Sequence, residues 1–308
     1  MLTVFGSINI DQVIRVTSIP QPGETKIGER IMDSHGGKGA NQAIAAARAS
    51  DGKTPITMIG ALGNDLNGEN ALQNLLKNGV ISECVQYSDC ETGMAIITVS
   101  QDGENAITVI PGANAKLKFK HISKETLKRT SILMCQGEVN LLETYMVIAA
   151  FRKTSPSGVV VVNLAPVPQD GDLMTLRNVL EKCDILIVNE HEAKTISQLL
   201  SDQNMVDLQS IATQFNLKIL KTRGADGVDL LSQAGLIFQA PSPTVDPIDT
   251  TGAGDTFCGV FAILLAEGQS IEFAINKACE AAAKACCAIG AQTSMPFRDE
   301  FLKRVEAK

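Results

Sequence analysis

Short apolar runs recur along the chain, and most are followed by a segment with the spacing of an amphipathic helix. The run at 159–162 consists of four valines, a composition typical of a buried strand. Strands of this kind that alternate with helices favour a parallel sheet covered on both faces. The predicted strands are 1–5, 56–59, 131–135, 159–162, 184–188 and 217–221, and the predicted helices are 43–49, 68–78, 141–152, 190–200, one from 254, and 271–288.

Residues 11–34 and 92–111 depart from this pattern because apolar and polar residues alternate in them. Pro20, Pro22 and Gly23 mark a turn in the first segment, and Asp102-Gly103 marks one in the second. Each segment therefore predicts an antiparallel hairpin. The two hairpins could pair into a small second sheet that serves as a lid beside a substrate cleft. Two separate surface hairpins are the alternative, which the residues alone favour.

Charge and composition exclude several functions. The chain has 308 residues, a net charge of −7, no Trp and two Tyr, so it lacks the basic surface and stacking side chains of a nucleic-acid binder. The longest apolar run, 257–266, is too short to span a bilayer. The N-terminus predicts a first strand and not a signal peptide. We therefore expect neither nucleic acid nor a membrane as a partner.

The cysteines indicate a reducing compartment. They are scattered, and none forms a C-x-x-C pair, which in a chain this long is typical of buried apolar residues or free thiols. We therefore expect a cytoplasmic location. The eight are Cys84, Cys90, Cys135, Cys183, Cys258, Cys279, Cys286 and Cys287.

The string Asp-Thr-Thr-Gly-Ala-Gly-Asp, from Asp249 to Asp255, precedes a predicted apolar helix. Gly252 and Gly254 permit close approach by a ligand, and free amides at a helix N-terminus favour negative charge. Such amides would stabilise a phosphoryl group in transfer, and Asp255 could accept the proton of an attacking hydroxyl. The alternative is that Asp255 is only an N-cap, worth about 1 kcal/mol.

Two nucleotide-binding fingerprints are excluded. Phe257 stands where a Gly-x-Gly-x-x-Gly dinucleotide fingerprint needs its third glycine. The glycine-rich loop at 36–39 lacks the spacing of a Walker A loop.

Two further strings carry polar side chains beside glycines. Gly36-Gly37-Lys38-Gly39-Ala40-Asn41 precedes a predicted helix, and its glycines let the backbone approach a small polar ligand. Asn9 and Asp11 alternate after the first strand, so both can face one side, where an amide and a carboxylate suit sugar hydroxyls. The alternatives are a glycine loop that caps a helix and a solvated turn.

Taken in order, these strings resemble the ribokinase family of carbohydrate and nucleoside kinases, over residues 6–296. The resemblance implies an α/β three-layer sandwich, with a mostly parallel central sheet and a small β-sheet lid from about 11–34 and 92–111 within a single kinase domain, 1–308. Further matching strings are Asn163-Leu164-Ala165-Pro166, Asn189-Glu190-His191-Glu192, the turn from Thr222 to Gly227, and Gly290-Ala291-Gln292-Thr293-Ser294.

The resemblance implies a role for each matching residue. Asp255 would be the catalytic base, beside an anion hole formed by the amides of Gly252, Ala253, Gly254 and Asp255. Glu192, with Asn189, would support Mg²⁺ through water, since Mg²⁺ gives up its waters reluctantly. The ATP-binding residues would be Asn189, Thr222, Gly224, Gly227 and Gly254, with Asn276 and Cys279 as adenine-pocket candidates that could equally be packing residues. The K⁺ site would consist of Asp249, Thr251, Ala285, Ala288, Gly290 and Ser294.

Ribose is the substrate that the resemblance favours, with ribose 5-phosphate as the product. Lys38 is assigned to the sugar loop with its neighbours and not to the ATP phosphates. Lids of this family form dimers, so a homodimer is implied. The predicted sugar-binding residues are Asn9, Asp11, Gly37, Lys38, Asn41, Glu138 and Asp255.

Three alternatives remain open. The substrate could be another pentose, deoxyribose, a nucleoside or a ketohexose. The protein could also be a catalytically silent sugar-binding regulator, although such a protein is expected to lose Asp255 or the glycines of the anion hole. A redox enzyme is the most remote alternative, because it would need a dinucleotide fingerprint.

Overall fold

An eight-stranded sheet forms the centre of the computed structural model, which describes residues 1–83, 85–168, 173–201 and 206–302. Its strand order is β14-β13-β12-β11-β10-β9-β1-β4, parallel from β4 to β12 and antiparallel for β13 and β14. The strands are β1 Leu2–Phe5, β2 Asn9–Arg15, β3 Glu29–Gly36, β4 Ile56–Ile59, β5 Ala61–Gly63, β6 Gln86–Ser88, β7 Gly93–Val99, β8 Asn105–Ile110, β9 Ile132–Gln136, β10 Val159–Asn163, β11 Ile185–Asn189, β12 Lys218–Thr222, β13 Val228–Ser232 and β14 Gly235–Ala240.

Helices cover both faces of this sheet, so the predicted three-layer α/β fold is confirmed. Alternate residues of one strand enter different cores: Val4 packs with α1, α2, α8 and α9, whereas Phe5 packs with α3 to α7. The helices are α1 Lys38–Ser50, α2 Leu66–Lys77, α3 Lys124–Arg129, α4 Leu141–Thr154, α5 Leu173–Leu180, α6 Glu190–Leu199, α7 Leu208–Phe215, α8 Ala253–Ala266, α9 Ile271–Ala285, α10 Ala291–Ser294 and α11 Arg298–Phe301.

A separate four-stranded sheet has the order β3-β2-β7-β8. Each predicted hairpin is present, as β2 with β3 and β7 with β8. The hairpins join through a parallel pairing of β2 and β7, which runs from Asn9 beside Gly93 to Arg15 beside Val99. The alternative of two separate surface hairpins is therefore wrong.

Two predicted boundaries differ from the structure in ways that affect the site. Strand β9 extends to Gln136, one residue beyond the predicted end at 135, because the apolar pattern does not reveal a buried glutamine in a strand. Helix α9 ends at Ala285 and not at 288, although the alanine-rich sequence favours helix to the later residue. The chain from Cys286 to Gly290 instead turns toward Asp249.

The carboxyl ends of the parallel strands meet at one edge of the central sheet. Residues at or just beyond these ends are Ser7, Glu138, Asn163, Asn189 and Thr222. Ligands of open α/β sheets bind along this edge, so the topology alone gathers these polar residues on one side of the molecule. In the described parts of the chain, no helix has both the length and the apolar character needed to cross a membrane.

Candidate active site

The N-terminus of α8 presents free backbone amides to the carboxyl edge of the sheet. Gly252 precedes the helix with a φ of 77°, and a Cβ there would lie 2.9 Å from the Cα of Ala291, so the position requires glycine. The Ala253 amide donates to Thr250 O at 3.2 Å. The amides of Gly252, Gly254 and Asp255 have no backbone acceptor in the described chain, and the space over Gly254 is open. These amides can receive an anion.

Asp255 is the third residue of α8, and its carboxylate turns away from its own helix. Its two oxygens accept hydrogen bonds from Asn41 Nδ2 at 2.8 Å and Gln42 Nε2 at 2.9 Å, both on α1. The residue is only 8% exposed. Gly252 occupies the N-cap position, so the alternative that Asp255 is merely an N-cap is wrong.

A polar recess lies beside Asp255, between α1, β2 and the loop after β9. We use this name for the set formed by Asn9, Asp11, Lys38, Asn41, Glu138 and Asp255. Burial raises the pKa of Asp11 to about 7, and the charges of Glu138 and Asp255 add to the effect while Lys38 opposes it. The Asp255 carboxylate, followed by Glu138 and Glu192, raises the pKa of Lys38 against the effect of its burial. The recess therefore holds one ammonium group among several carboxylates.

Hydrogen bonds within the protein occupy part of each side chain in the recess and leave part for a ligand. Glu138 Oε2 accepts from Ser7 Oγ at 2.5 Å and from the Lys38 amide at 2.9 Å, whereas Oε1 has no partner in the described chain. Asn9 Oδ1 accepts from Asn114 Nδ2 at 2.8 Å, so its own amide hydrogens remain available. The recess can thus both donate to and accept from hydroxyl groups.

The loop before α1 and the first turn of that helix contribute to the recess. The Asp11 carboxylate lies over Gly36. Gly37 has a φ of 86°, and a Cβ there would lie 2.7 Å from the amide nitrogen of Asn9. Asn41 Oδ1 accepts from Gln292 Nε2 at 2.8 Å, which leaves the second hydrogen of its amide for a ligand. The structure therefore brings the other six predicted sugar-binding residues to one side of Asp255.

An apolar cavity of about 350 Å³ lies on the other side of the α8 N-terminus. Five of the predicted ATP-binding residues line it, namely Thr222, Gly224, Gly227, Gly254 and Cys279. Asn276 is exposed and does not line the cavity, and neither does Asn189. The sequence assigned Ala253 to the anion hole but assigned none of the other lining residues to ATP binding, which are Ala225, Val228, Ser242, Pro243, Thr244, Val245, Pro247, Thr250, Ala253, Phe257, Ala282, Ala283 and Cys286.

Asn189 and Glu192 begin helix α6 at the end of β11, where they form a capping box. Glu192 N–H donates to Asn189 Oδ1, and Asn189 N–H donates to Glu192 Oε2, both at 2.8 Å. Burial raises the pKa of Glu192 against the hydrogen bond from Asn189 and the nearby charge of Lys38. The Glu192 carboxylate therefore lies close enough to Lys38 and Asp255 for their charges to act on it. A carboxylate oxygen at this place is suited to Mg²⁺ with its waters.

The loop after α9 folds against Asp249. The amides of Thr251 and Gly290 donate to the two oxygens of Asp249 at 2.9 and 2.8 Å, and Cys286 O accepts from the amides of Ile248 and Asp249. Burial alone would raise the pKa of Asp249, but these hydrogen bonds outweigh it and hold the pKa below its usual value. The early end of α9 brings the loop from Cys286 to Gly290, with the Cys286 carbonyl oxygen, beside this carboxylate. Such an oxygen-only donor set suits a large monovalent cation.

The sequence did not identify a cluster of buried amide side chains behind Asp255. Gln42, Gln136, Asn163 and Gln292 are all at most 8% exposed. Gln42 directly follows the string Gly36–Asn41, but its position among alanines on α1 gave no indication of its partner. The signal that could have found these residues is a polar side chain at a position that the apolar pattern of its helix or strand predicts to be buried.

The sequence profile of the pfkB family of carbohydrate kinases matches residues 1–298. The chain belongs to this family, which confirms the resemblance, and it is a sugar kinase, a phosphotransferase. It is similar to the ribokinase of Lactococcus lactis subsp. lactis (strain IL1403), with 36% identity over 307 residues that cover 99% of this chain and 97% of that protein.

Two solved structures are also similar to this one. The ribokinase from Thermotoga maritima is 30% identical with a TM-score of 0.87, over 98% of this chain and 97% of that one. The Arabidopsis thaliana ribokinase complexed with ribose and ATP is 29% identical with a TM-score of 0.84, over 100% of this chain and 99% of that one.

Proposed function

We propose that this protein transfers the γ-phosphoryl group of ATP to the 5-hydroxyl of D-ribose, with ribose 5-phosphate and ADP as products. The observation that carries the proposal is the position of Asp255, whose helix N-terminus separates the polar recess from the apolar cavity. The similar proteins support this substrate pair, since they are ribokinases and one of them was solved with ribose and ATP.

In this proposal the polar recess holds the sugar. Glu138 Oε1 and the Asp11 carboxylate accept hydrogen bonds from ribose hydroxyls, and the free amide hydrogens of Asn9 and Asn41 donate to them. Gly37 gives the hydroxyls room against the backbone, and the Lys38 ammonium partly offsets the charge of the carboxylates. This arrangement leaves the 5-hydroxyl directed at Asp255.

The transfer step follows from the same geometry. Asp255 accepts the proton of the 5-hydroxyl while the hydroxyl oxygen bonds to the γ-phosphorus, and the bond from that phosphorus to the β–γ bridging oxygen breaks, so ADP leaves. The amides of Gly252, Gly254 and Asp255 stabilise the charge on the phosphoryl oxygens, and Ala253 can join them once its bond to Thr250 O opens. The adenosine part of ATP occupies the apolar cavity between Gly224, Val245 and Cys279.

Two cations complete the proposal. Glu192, with Asn189, would hold Mg²⁺ through water, and Mg²⁺ would supply charge neutralisation on the ATP phosphates. K⁺ would bind beside the Asp249 carboxylate and stabilise the loops that flank the α8 N-terminus. The predicted ligands of K⁺ remain Asp249, Thr251, Ala285, Ala288, Gly290 and Ser294.

We also propose a homodimer that forms through the small sheet, and a cytoplasmic location. Strand β8 is at the edge of that sheet and exposes Ile107, Val109 and Ile110, which a second copy would cover. All cysteines in the described ranges are free thiols, which suits a reducing compartment.

The decisive assay measures ADP by chromatography after incubation with ATP, Mg²⁺ and one sugar at a time. Ribose, 2-deoxyribose, fructose and a nucleoside form the panel, and each is run with K⁺ or with choline as the monovalent cation. We expect the highest kcat/KM for ribose and a higher rate with K⁺. A faster reaction with a nucleoside would refute ribose as the substrate. Binding of ribose without formation of ADP would indicate a catalytically silent regulator. Equal rates in choline would refute only the role of K⁺.

A further inference from the structure

Two series of hydrogen-bonded, buried amide side chains end at the Asp255 carboxylate. Gln42 Nε2 donates to one oxygen, and Gln42 Oε1 in turn accepts from Gln136 Nε2 at 2.6 Å. Asn41 Nδ2 donates to the other oxygen and is held by Gln292. Gln42 is 0% exposed and Gln136 is 2% exposed, so water does not replace these contacts.

The orientation of each amide in the Gln42 series follows from the charge of Asp255. An ionised carboxylate only accepts hydrogen bonds, so Gln42 must present Nε2 to it, and then Oε1 must face a donor, which Gln136 supplies. The same Nε2 also donates to Asn163 Oδ1 at 3.0 Å. If Gln42 were flipped, its oxygen would face the carboxylate and its nitrogen would face the nitrogen of Gln136.

Close packing of two helices makes the Gln42 contact possible. Gly259 on α8 lies against the backbone oxygen of Gln42 on α1, where any Cβ would collide with that oxygen. Helices α1 and α8 are therefore held side by side near their N-termini, and the glutamine side chain reaches Asp255 from α1.

We propose that Gln42 is a positioning residue for phosphoryl transfer, which fixes the rotation of the Asp255 carboxylate so that its free lone pair faces the substrate hydroxyl. The proposal rests on the proposed function, because it assumes that Asp255 is the base. Gln42 does not touch substrate, so its loss should lower kcat and leave the KM for the sugar little changed.

A pH profile separates this role from a purely structural one. A hydrogen bond to the ionised carboxylate favours that form, so removing the Gln42 donor moves the acid limb of kcat toward higher pH. The other groups that face Asp255 stay in place in the variant: Asp11 on β2, Lys38 on α1, Glu192 on α6 and the Cys258 thiol on α8. Glu138 acts on Asp11 and Lys38 and is also unchanged.

The test compares Gln42→Met and the isosteric Gln42→Glu with wild type and with the exposed control Gln198→Met. For Gln42→Met we expect kcat to fall about 10- to 100-fold and its acid midpoint to rise by about one pH unit. Gln42→Glu places a second carboxyl group beside Asp255, so its midpoint should rise further. Gln198→Met should match wild type.

Each outcome of this test decides the proposal. An unchanged acid midpoint in a folded Gln42→Glu enzyme overturns it, and so does a kcat or an acid midpoint equal to wild type in a folded Gln42→Met enzyme. Because Gln42→Glu preserves the shape of the side chain, it remains informative if Gln42→Met does not fold. The profiles are measured with the sugar that wild type uses fastest, so a substrate other than ribose refutes the proposed function without affecting this test.

Discussion

The two sides of Asp255 recognise their ligands by different means. The polar recess uses charged and amide side chains, most of them in three short strings of the sequence. The apolar cavity is lined mainly by glycine, alanine, proline and valine, together with backbone atoms. A change of one functional group should therefore impair the recess, whereas nucleotide binding in the cavity should be impaired only by a change in the shape of the cavity. Four predictions test this difference, beginning with the largest effect.

Asp255→Asn should lower kcat by about 10²- to 10⁴-fold, since a general base contributes a factor of this size. Asparagine keeps the shape of the side chain but cannot accept the hydroxyl proton. Steady-state kinetics measure the loss, and isothermal titration calorimetry with ribose should give nearly wild-type affinity. Turnover close to wild type would remove Asp255 as the base.

Asp11→Asn should stabilise the protein at high pH, because the recess disfavours the ionised carboxylate. The pKa of Asp11 is about 7 in the folded protein and near 3.8 without the surrounding structure. Between these values the folded state binds more protons, so the free energy of unfolding contributed by Asp11 falls as the pH rises toward 7.

Relative to wild type, Asp11→Asn should therefore gain about 2–3 kcal/mol of stability between pH 5 and pH 8. Urea denaturation at the two pH values measures the gain, and the exposed Asp89→Asn variant is the control. The same gain in the control, or none in Asp11→Asn, would contradict the electrostatic description of the recess. The function of the residue should suffer at the same time, as a weaker affinity for the sugar.

Ala282→Phe should raise the KM for ATP at least about tenfold, which corresponds to ~1.4 kcal/mol of binding energy. Ala282 is partly exposed and lines the apolar cavity, so the benzyl group fills space that the nucleotide needs. Ala282→Ser is the matched control of small volume and should bind ATP normally. A larger effect on the KM for the sugar than on that for ATP would mean that the cavity is not the nucleotide site.

Asp249→Asn should raise the K⁺ concentration required for half-maximal activation several-fold, the smallest of the four effects. The change removes the negative charge and one of the acceptors that hold Thr251 and Gly290. Activity is titrated with KCl at constant ionic strength, adjusted with choline chloride. An unchanged activation curve would place the cation elsewhere.

The difference between the polar recess and the apolar cavity also explains which parts of the site the sequence could predict. Asp249–Asp255, Gly36–Asn41 and Asn9 with Asp11 carry their chemistry in side chains or glycines, so the strings were recognisable. The central sheet followed from its apolar strands. By contrast, Ala282, Val245 and Pro243 line the cavity only because β12, the 242–250 segment and α9 come together in space, and small apolar residues give no signal of that contact.

The residues alone left open whether the two hairpins pair and gave no indication that β2 and β7 lie parallel, since strands so far apart in the chain are brought together by tertiary structure. Gln42 and Gln136 illustrate the same limit at the site itself. Gln42 was visible as a polar residue in an apolar helix, and Gln136 directly follows a predicted strand, but the two glutamines lie more than ninety residues apart in the chain.

The most direct test is a crystal structure with both ribose and a non-hydrolysable ATP analogue bound. We predict the ribose in the polar recess, with its 5-hydroxyl within hydrogen-bond distance of Asp255 and directed at the γ-phosphate above the amides of Gly252 and Gly254. The adenosine should lie in the apolar cavity. Ribose bound with a different hydroxyl at Asp255, or a γ-phosphate remote from the α8 N-terminus, would contradict this description of the site.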